Sequence, residues 1–292
     1  MPKECMEGLN IRPDGVYVDL TFGGGGHSRL ILEKLNEKGC LIAFDQDEDA
    51  QANTIQDPRF ILVDHNFRYM TNFLRFNDRL PVDGILADLG ISSHHIDEPE
   101  RGFATRFSGP LDMRMNRQQE LTAATIVNTY SEEKLRNIFS EYGEISNARQ
   151  LAATLVAARI NPIETIDEFK AAIKHLVPGK IEHKYLAQVF QALRIEVNDE
   201  LGALMAVLKQ VPSVLAEGGR LVVISYHSLE DRLVKNFIRS GNFEGIQEKD
   251  FFGNLISPLQ SVSRKALVPG SQEQAQNPRS RSAKLRIAEK IK

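Results

Sequence analysis

Cysteine is scarce in this 292-residue chain: Cys5 and Cys40 are the only two, and they form no C-x-x-C pair and no metal-ligand spacing. A disulfide scaffold is excluded, no metal site is expected, and a reducing compartment fits. No apolar run approaches the length of a membrane span, and the opening Met1-Pro2-Lys3-Glu4-Cys5-Met6-Glu7 has no apolar signal core. The expectation is a cytoplasmic protein with no membrane partner. Also missing are a clean G-x-G-x-x-G, the G-x-S-x-G elbow of serine hydrolases and any solenoid-type repeat.

Strong net charge is missing as well. At −3 overall the chain is no indiscriminate nucleic-acid binder, yet its charge is uneven. Between Arg264 and Lys292 eight Lys/Arg face only Glu273 and Glu289, so this tail carries +6 and the remainder −9. A basic end on an acidic body suits a polyanion held in one place; a merely solvated tail fits the charge equally well.

What is present begins with Thr21-Phe22-Gly23-Gly24-Gly25-Gly26-His27-Ser28. It follows the β-favouring Val16–Leu20, which includes Asp19, and precedes a helical pattern from about His27 to Asn36. Strand, glycine turn and helix bring a ligand's polar groups against bare backbone N–H groups. Consecutive glycines cost backbone entropy, so a tight turn or a close ligand approach is the expected reason for them. Further short apolar runs at Cys40–Phe44, Phe60–Val63, Val82–Ala87 and Arg220–Tyr226 alternate with helical patterns, which means a parallel, doubly wound sheet. Ala283–Ala288 reads as a final edge strand, and 241–281 as irregular. Residues 89–118 have no period and form a loop longer than a connection needs. The chain then turns helical and alanine-rich. The predicted organisation is a sheet domain of 1–109 and 196–292, interrupted by a helical insertion at 110–195 that suits substrate recognition.

Asp45 lies 20 residues beyond Gly25, at the end of the second strand, where an acid would hydrogen-bond a ribose. Asp88 ends the fourth strand, and ligands of open α/β sheets sit beyond such ends, so Asp19, Asp45 and Asp88 are expected around one crevice. No Arg follows Asp45 to suggest a 2′-phosphate. S-adenosyl-L-methionine, with a ribose and no pyrophosphate, fits better than a nicotinamide dinucleotide.

Six stretches taken together resemble a known family. They are Asp19–Ser28; Asp88-Leu89-Gly90-Ile91-Ser92-Ser93; Glu100-Arg101-Gly102-Phe103; Gly109–Met115; Ser225-Tyr226-His227-Ser228-Leu229-Glu230-Asp231-Arg232; and Asn277-Pro278-Arg279-Ser280-Arg281-Ser282. In this order, across the whole chain, they look like the RsmH (MraW) family of bacterial methyltransferases acting on N4 of a cytosine in small-subunit ribosomal RNA. The resemblance implies a Rossmann-like class I methyltransferase sheet with an inserted small all-helical domain. It also implies S-adenosylmethionine contacts at Gly25, Gly26, His27, Asp45, Phe67, Asp88 and position 95, where this chain has His95 in place of the common Gln.

For such a reaction Asp88 or the neighbouring backbone carbonyls are the first candidates to take the proton from the amino group, with Asp112 and His227 behind them. Phe103, Phe107 or Tyr226 would supply a stacking face for the extruded base. Arg101, Arg106, Arg114, Arg279 and Arg281 would meet phosphates of small-subunit ribosomal RNA, within an assembled or nearly assembled subunit. Simpler structural roles stay open. Gly109–Met115 also reads as a turn feeding a buried Leu111/Met113 pair, and Ser228, Glu230 and Asp231 as an N-cap with dipole acids. A nicotinamide oxidoreductase, a DNA amino-methyltransferase (which would want a D/N-P-P-Y run) and a non-catalytic RNA-binding factor are the competing functions. A homodimer is compatible with the sequence.

Overall fold

The computed structural model describes residues 1–253 and 255–291, and the chain divides into two compact units, Met1–Gly90 with Leu201–Lys292, and Ile91–Glu200.

The first unit is built on a seven-stranded sheet: β1 (Val16–Asp19), β2 (Cys40–Phe44), β3 (Phe60–Val63), β4 (Val82–Asp88), β5 (Leu215–Ser225), β6 (Leu259–Ser261) and β7 (Lys284–Lys290). The spatial order is β3-β2-β1-β4-β5-β7-β6. Neighbours from β3 to β5 are parallel, whereas β7 runs antiparallel to both β5 and β6. This is the class I methyltransferase arrangement expected from the sequence. Alternation along the strands feeds two cores, since successive side chains leave opposite faces. Tyr17, Leu41, Leu86 and Val222 pack with the helices Pro2–Leu9 and Gly26–Leu32. Val18, Ile42, Ile85, Leu221 and Val223 pack on the other face with Met70, Leu74, Leu204, Val211 and Phe237. Each fully buried Leu or Ile contributes about 1.5–3 kcal/mol, so the two layers carry the stability of the unit.

One expectation changes here. The strand near Ala283–Ala288 is not at the edge: β6 pairs outside it, Leu259 opposite Lys290 and Ser261 opposite Ala288. Three residues reading Leu-Gln-Ser are too short to show a period of two. The chain also opens with a helix, Pro2–Leu9, whose Cys5, Met6, Gly8 and Leu9 are buried.

The second unit is helical, with Ala123–Thr129, Glu132–Glu141, Ala148–Ala158, Ile166–Ile173 and Glu182–Asn198 around a core of Leu135, Phe139, Leu151, Leu155, Phe169, Val189 and Leu193. Thr122, Ser131 and Thr165 cap three of these helices, Thr165 in a reciprocal box with Glu168. The division falls at Gly90 rather than at the expected 109/110. The reason is packing: Phe103, Leu111 and Met113 enter the helical core, and Ile166 N–H donates to Gly109 C=O at 2.9 Å. Gly102 explains its own motif. At φ +75° a Cβ there would lie 2.5 Å from Pro110 O and 2.7 Å from Asp112 N, so only glycine lets these strands of loop pass. Among the described residues no helix is long and apolar enough to cross a membrane.

Candidate cofactor site

The chain leaves β1 for β2 and β3 on one side, then returns to β4 on the other, so β1 and β4 flank the topological switch point where open α/β sheets bind ligands. The residues beyond these strand ends are tied to one another. Asp19, almost fully buried, accepts from Thr21 N–H at 3.0 Å and from the buried Ser28 hydroxyl at 2.7 Å. It therefore holds the start of the helix Gly26–Leu32 against β1. The sequence offered no buried partner for this acid; the structure supplies one from the turn itself, and Asp19 is an architectural carboxylate. Asp45 accepts from Gly23 N–H at 2.7 Å and from Asp47 N–H at 2.9 Å, tying the end of β2 to the glycine turn.

The turn is open. A Cβ built at Gly23, Gly24 or Gly26 meets nothing within 4 Å, so this backbone borders space that only a ligand or solvent can fill. Gly25 differs: its φ of +74° and the Phe22 ring 3.0 Å from a would-be Cβ set the turn's shape. His27 follows, and its Nε2 is buried with no partner among the described residues. An orphaned ring nitrogen beside open glycine backbone is the signature of a site awaiting a polar group.

Asp88 sits at the centre. Its N–H donates to Thr21 Oγ1 at 2.7 Å, its Oδ1 accepts from the Tyr226 hydroxyl at 2.9 Å, and its Oδ2 lies 3.6 Å from His27 Nδ1. Burial pushes the Asp88 carboxyl above the usual carboxylate range, against the opposing pull of His27 and of the Tyr226 hydrogen bond. The side chain still keeps 26% of its surface, so the carboxyl is reachable from outside. The Tyr226 phenol is raised too, by burial first and by Asp88 second. Cys5 is the third perturbed group here; burial, then Asp88, lift its thiol to about 12, so it is an inert neutral neighbour. Phe67 opens a short turn after β3, capped by Asn66, and leans on the core beside it.

Other expected site residues resolve differently. Tyr226 is not a free stacking face, because its hydroxyl is committed to Asp88 and its ring passes against Gly90. His227 is the N-cap of the helix Ser228–Ser240 in a reciprocal box with Glu230, so Ser228 is not the cap. Its Nδ1 accepts from Glu230 N–H, and its Nε2 lies 3.2 Å from Glu230 Oε1.

Within the helical unit, Arg101 is buried and donates to Arg114 C=O at 3.1 Å and Met115 C=O at 3.0 Å, so it presents no face to a phosphate. Arg114 forms a fork with Asp112 at 2.8–2.9 Å and spends its remaining donor on Arg117 C=O and Gln119 C=O. Asp112 is thus a structural counter-ion, and Leu111 and Met113 are the buried pair that the simpler structural role anticipates. Arg106 is exposed, paired with Asp97 at 2.7 Å and lying 4.6 Å over the Phe107 ring. His95 is buried, its Nδ1 accepting from Ser92 N–H at 3.3 Å and its ring 4.8 Å from that of Phe103.

The basic tail is partly consumed by the fold. Lys284 and Arg286 both pair with Asp231, and Lys290 Nζ donates to Leu215 C=O at 2.7 Å. Arg279 and Arg281 stay exposed on the short turn Pro278–Ser282, and Lys292 lies outside the described residues.

The chain matches the MraW methylase family over residues 1–291. It is 60% identical over 289 residues to the "Ribosomal RNA small subunit methyltransferase H" of Bacteroides thetaiotaomicron, covering 99% of this chain and 95% of that one. The proteins of the same description from Parabacteroides distasonis and Flavobacterium psychrophilum are 58% and 55% identical, covering 100% and 99% of this chain and 96% and 100% of theirs. With a family match over residues 1–291 and identity of this degree along its whole length, the chain belongs to the MraW methylase family.

Proposed function

We propose that this methyltransferase uses S-adenosylmethionine to methylate a cytidine of small-subunit ribosomal RNA at N4. The observation that carries the cofactor is the open glycine turn, with three glycines bordering unfilled space beside the orphaned His27 Nε2. The donor set fits: Asp45 would accept from the ribose hydroxyls, the backbone of Gly25 and Gly26 and the His27 ring would line the methionine portion, and Phe67 would flank the base. Asp88 completes the contacts within this unit. When bound, the cofactor supplies a methyl group already activated on a sulfonium.

The chain's own task is positioning and proton management. The N4 lone pair of cytosine is delocalised into the ring, and the nitrogen turns cationic as it is methylated, so an acceptor must hold and then remove its proton. Asp88 is the group we assign, because a carboxyl raised by burial is a stronger base than a solvated one. The target base has to leave its stack to bring N4 to a carboxyl so largely enclosed. The exposed Arg106, Arg279 and Arg281 would hold phosphates of the subunit RNA, and Phe107 offers a partly open ring. Labelled-methyl transfer to small ribosomal subunits tests the reading, with nuclease mapping and mass analysis to locate the mark. Incorporation at cytosine N4 that is lost in Asp88→Ala is expected; no incorporation by folded protein into any assembly stage overturns it.

A further inference from the structure

The stretch from Tyr226 to Arg232 follows β5 and is not accounted for by contact with a ligand. Its hydrogen bonds point inward. Glu230, buried at the start of the helix Ser228–Ser240, accepts from Tyr226 N–H at 2.9 Å and from His227 N–H at 3.3 Å. Asp231 is pinned to β7 by Arg286 at 2.7 Å and Lys284 at 3.1 Å. The Tyr226 ring lies against Gly90, whose φ is +104° and whose would-be Cβ is 3.3 Å from Tyr226 Cδ2. Backbone, ring and helix start are all fixed, and one polar atom remains to be placed: the hydroxyl, 2.9 Å from Asp88 Oδ1.

We propose that Tyr226 is the positioning residue of the reaction, its hydroxyl holding one oxygen of Asp88 so that the other faces His27 and the glycine turn. The role rests on the methyl-transfer reading, in which Asp88 is the group that meets cofactor and substrate. Without the hydroxyl, the carboxylate is free to rotate about its χ2, a broad torsion with little intrinsic preference. Among the described residues, the charged and titratable groups that act on Asp88 are His27 on the helix Gly26–Leu32, Asp19 on β1, the amine of Met1 and Tyr226 after β5, and Cys5 on the helix Pro2–Leu9 feels Asp88 in turn. Of these, only Tyr226 donates a hydrogen bond to the Asp88 carboxylate among the described residues.

The test is Tyr226→Phe, which keeps the ring against Gly90 and removes one oxygen. In the ligand-free protein, NMR titration of the Asp88 carboxyl is expected to move to higher pH, since the lost hydrogen bond favoured the ionised form. Calorimetry at neutral pH is expected to give roughly tenfold weaker S-adenosylmethionine binding, and this loss is expected to vanish in an Asp88→Asn background. A reciprocal measurement does not depend on the folding of the Phe variant: in Asp88→Asn, the Tyr226 phenol titrates lower than in wild type. An unmoved Asp88 titration, or a binding loss that persists undiminished in Asp88→Asn, overturns the proposal. If the wild-type protein binds no S-adenosylmethionine, the methyl-transfer reading falls, and the two ligand-free titrations still decide whether Tyr226 governs Asp88.

Discussion

Asp19 and Ser28, nine residues apart and both buried, are joined by a 2.7 Å hydrogen bond that spans the glycine turn. The turn is therefore a closed loop with its ends clamped, not a flexible linker. Ser28→Ala removes the clamp and leaves a buried carboxylate oxygen short of a donor, at a cost of about 1–3 kcal/mol. Urea unfolding is expected to register that loss, with weaker cofactor binding alongside because the turn loses its fixed geometry.

Gly26 separates ligand space from fold space. It is the first residue of the helix Gly26–Leu32, and its would-be Cβ meets nothing within 4 Å. Gly26→Ala is expected to leave stability unchanged or raise it by about 0.5–1 kcal/mol, the usual helix gain over glycine. S-adenosylmethionine affinity is expected to drop about ten- to hundredfold, because the methyl group occupies the cradle. A melting curve together with calorimetry checks both halves, and undiminished binding would place the cofactor elsewhere.

The sheet and the cofactor end of it were legible because their signals are local: apolar runs of strand length, a glycine turn and acids at strand ends. Side-chain partnerships were not. Arg101 and Arg106 lie five residues apart in the same motif-rich loop, yet one is buried on backbone carbonyls and the other is exposed. That difference depends on Arg101 being enclosed by a chain passage that Gly102 alone permits, a contact between segments that no periodicity reports. Tyr226 was visible as part of a motif, but its bond to Asp88, 138 residues away, was not. The strand β6 was lost for a third reason, being too short to show any pattern.

This contrast between the two arginines is measurable. Arg101→Ala strands the carbonyls of Arg114 and Met115 in a buried site, and is expected to destabilise the helical unit by about 2–4 kcal/mol. Arg106→Ala breaks an exposed ion pair worth less than about 1 kcal/mol, so its melting temperature is expected to stay near wild type. If Arg106 meets RNA, its variant weakens subunit binding in filter assays without any change in unfolding.

Asp231 couples pH to the packing of β7. Burial raises its carboxyl, but hydrogen bonds from Arg286 and Lys284 outweigh burial, and the net position is below the ordinary 3.8. A carboxyl depressed in the folded state contributes stability that is complete above the unfolded value and is lost as pH falls through the folded one. Stability is therefore expected to be flat near neutrality and to decline in the acid range from about pH 4 downward. In Asp231→Asn this share of the acid slope disappears, and neutral stability falls by about 1–3 kcal/mol because two cations lose their counter-charge and one of them its acceptor oxygen. Urea unfolding at several pH values resolves both effects.

Variants of Arg279 and Arg281 test whether the +6 tail serves RNA. Lys284, Arg286 and Lys290 are engaged by Asp231 and by the Leu215 carbonyl, so they act within the fold. The two arginines on the turn Pro278–Ser282 are exposed. Each phosphate contact contributes roughly 0.7–0.9 to the slope of log affinity against log salt. The double variant Arg279→Ala/Arg281→Ala is therefore expected to lower that slope for small-subunit RNA by roughly 1.4–1.8. Cofactor affinity is expected to stay at the wild-type value, because neither residue lies among the groups around Asp88. An unchanged salt slope would move the RNA interface away from this turn and leave Arg106 and the helical unit to carry it.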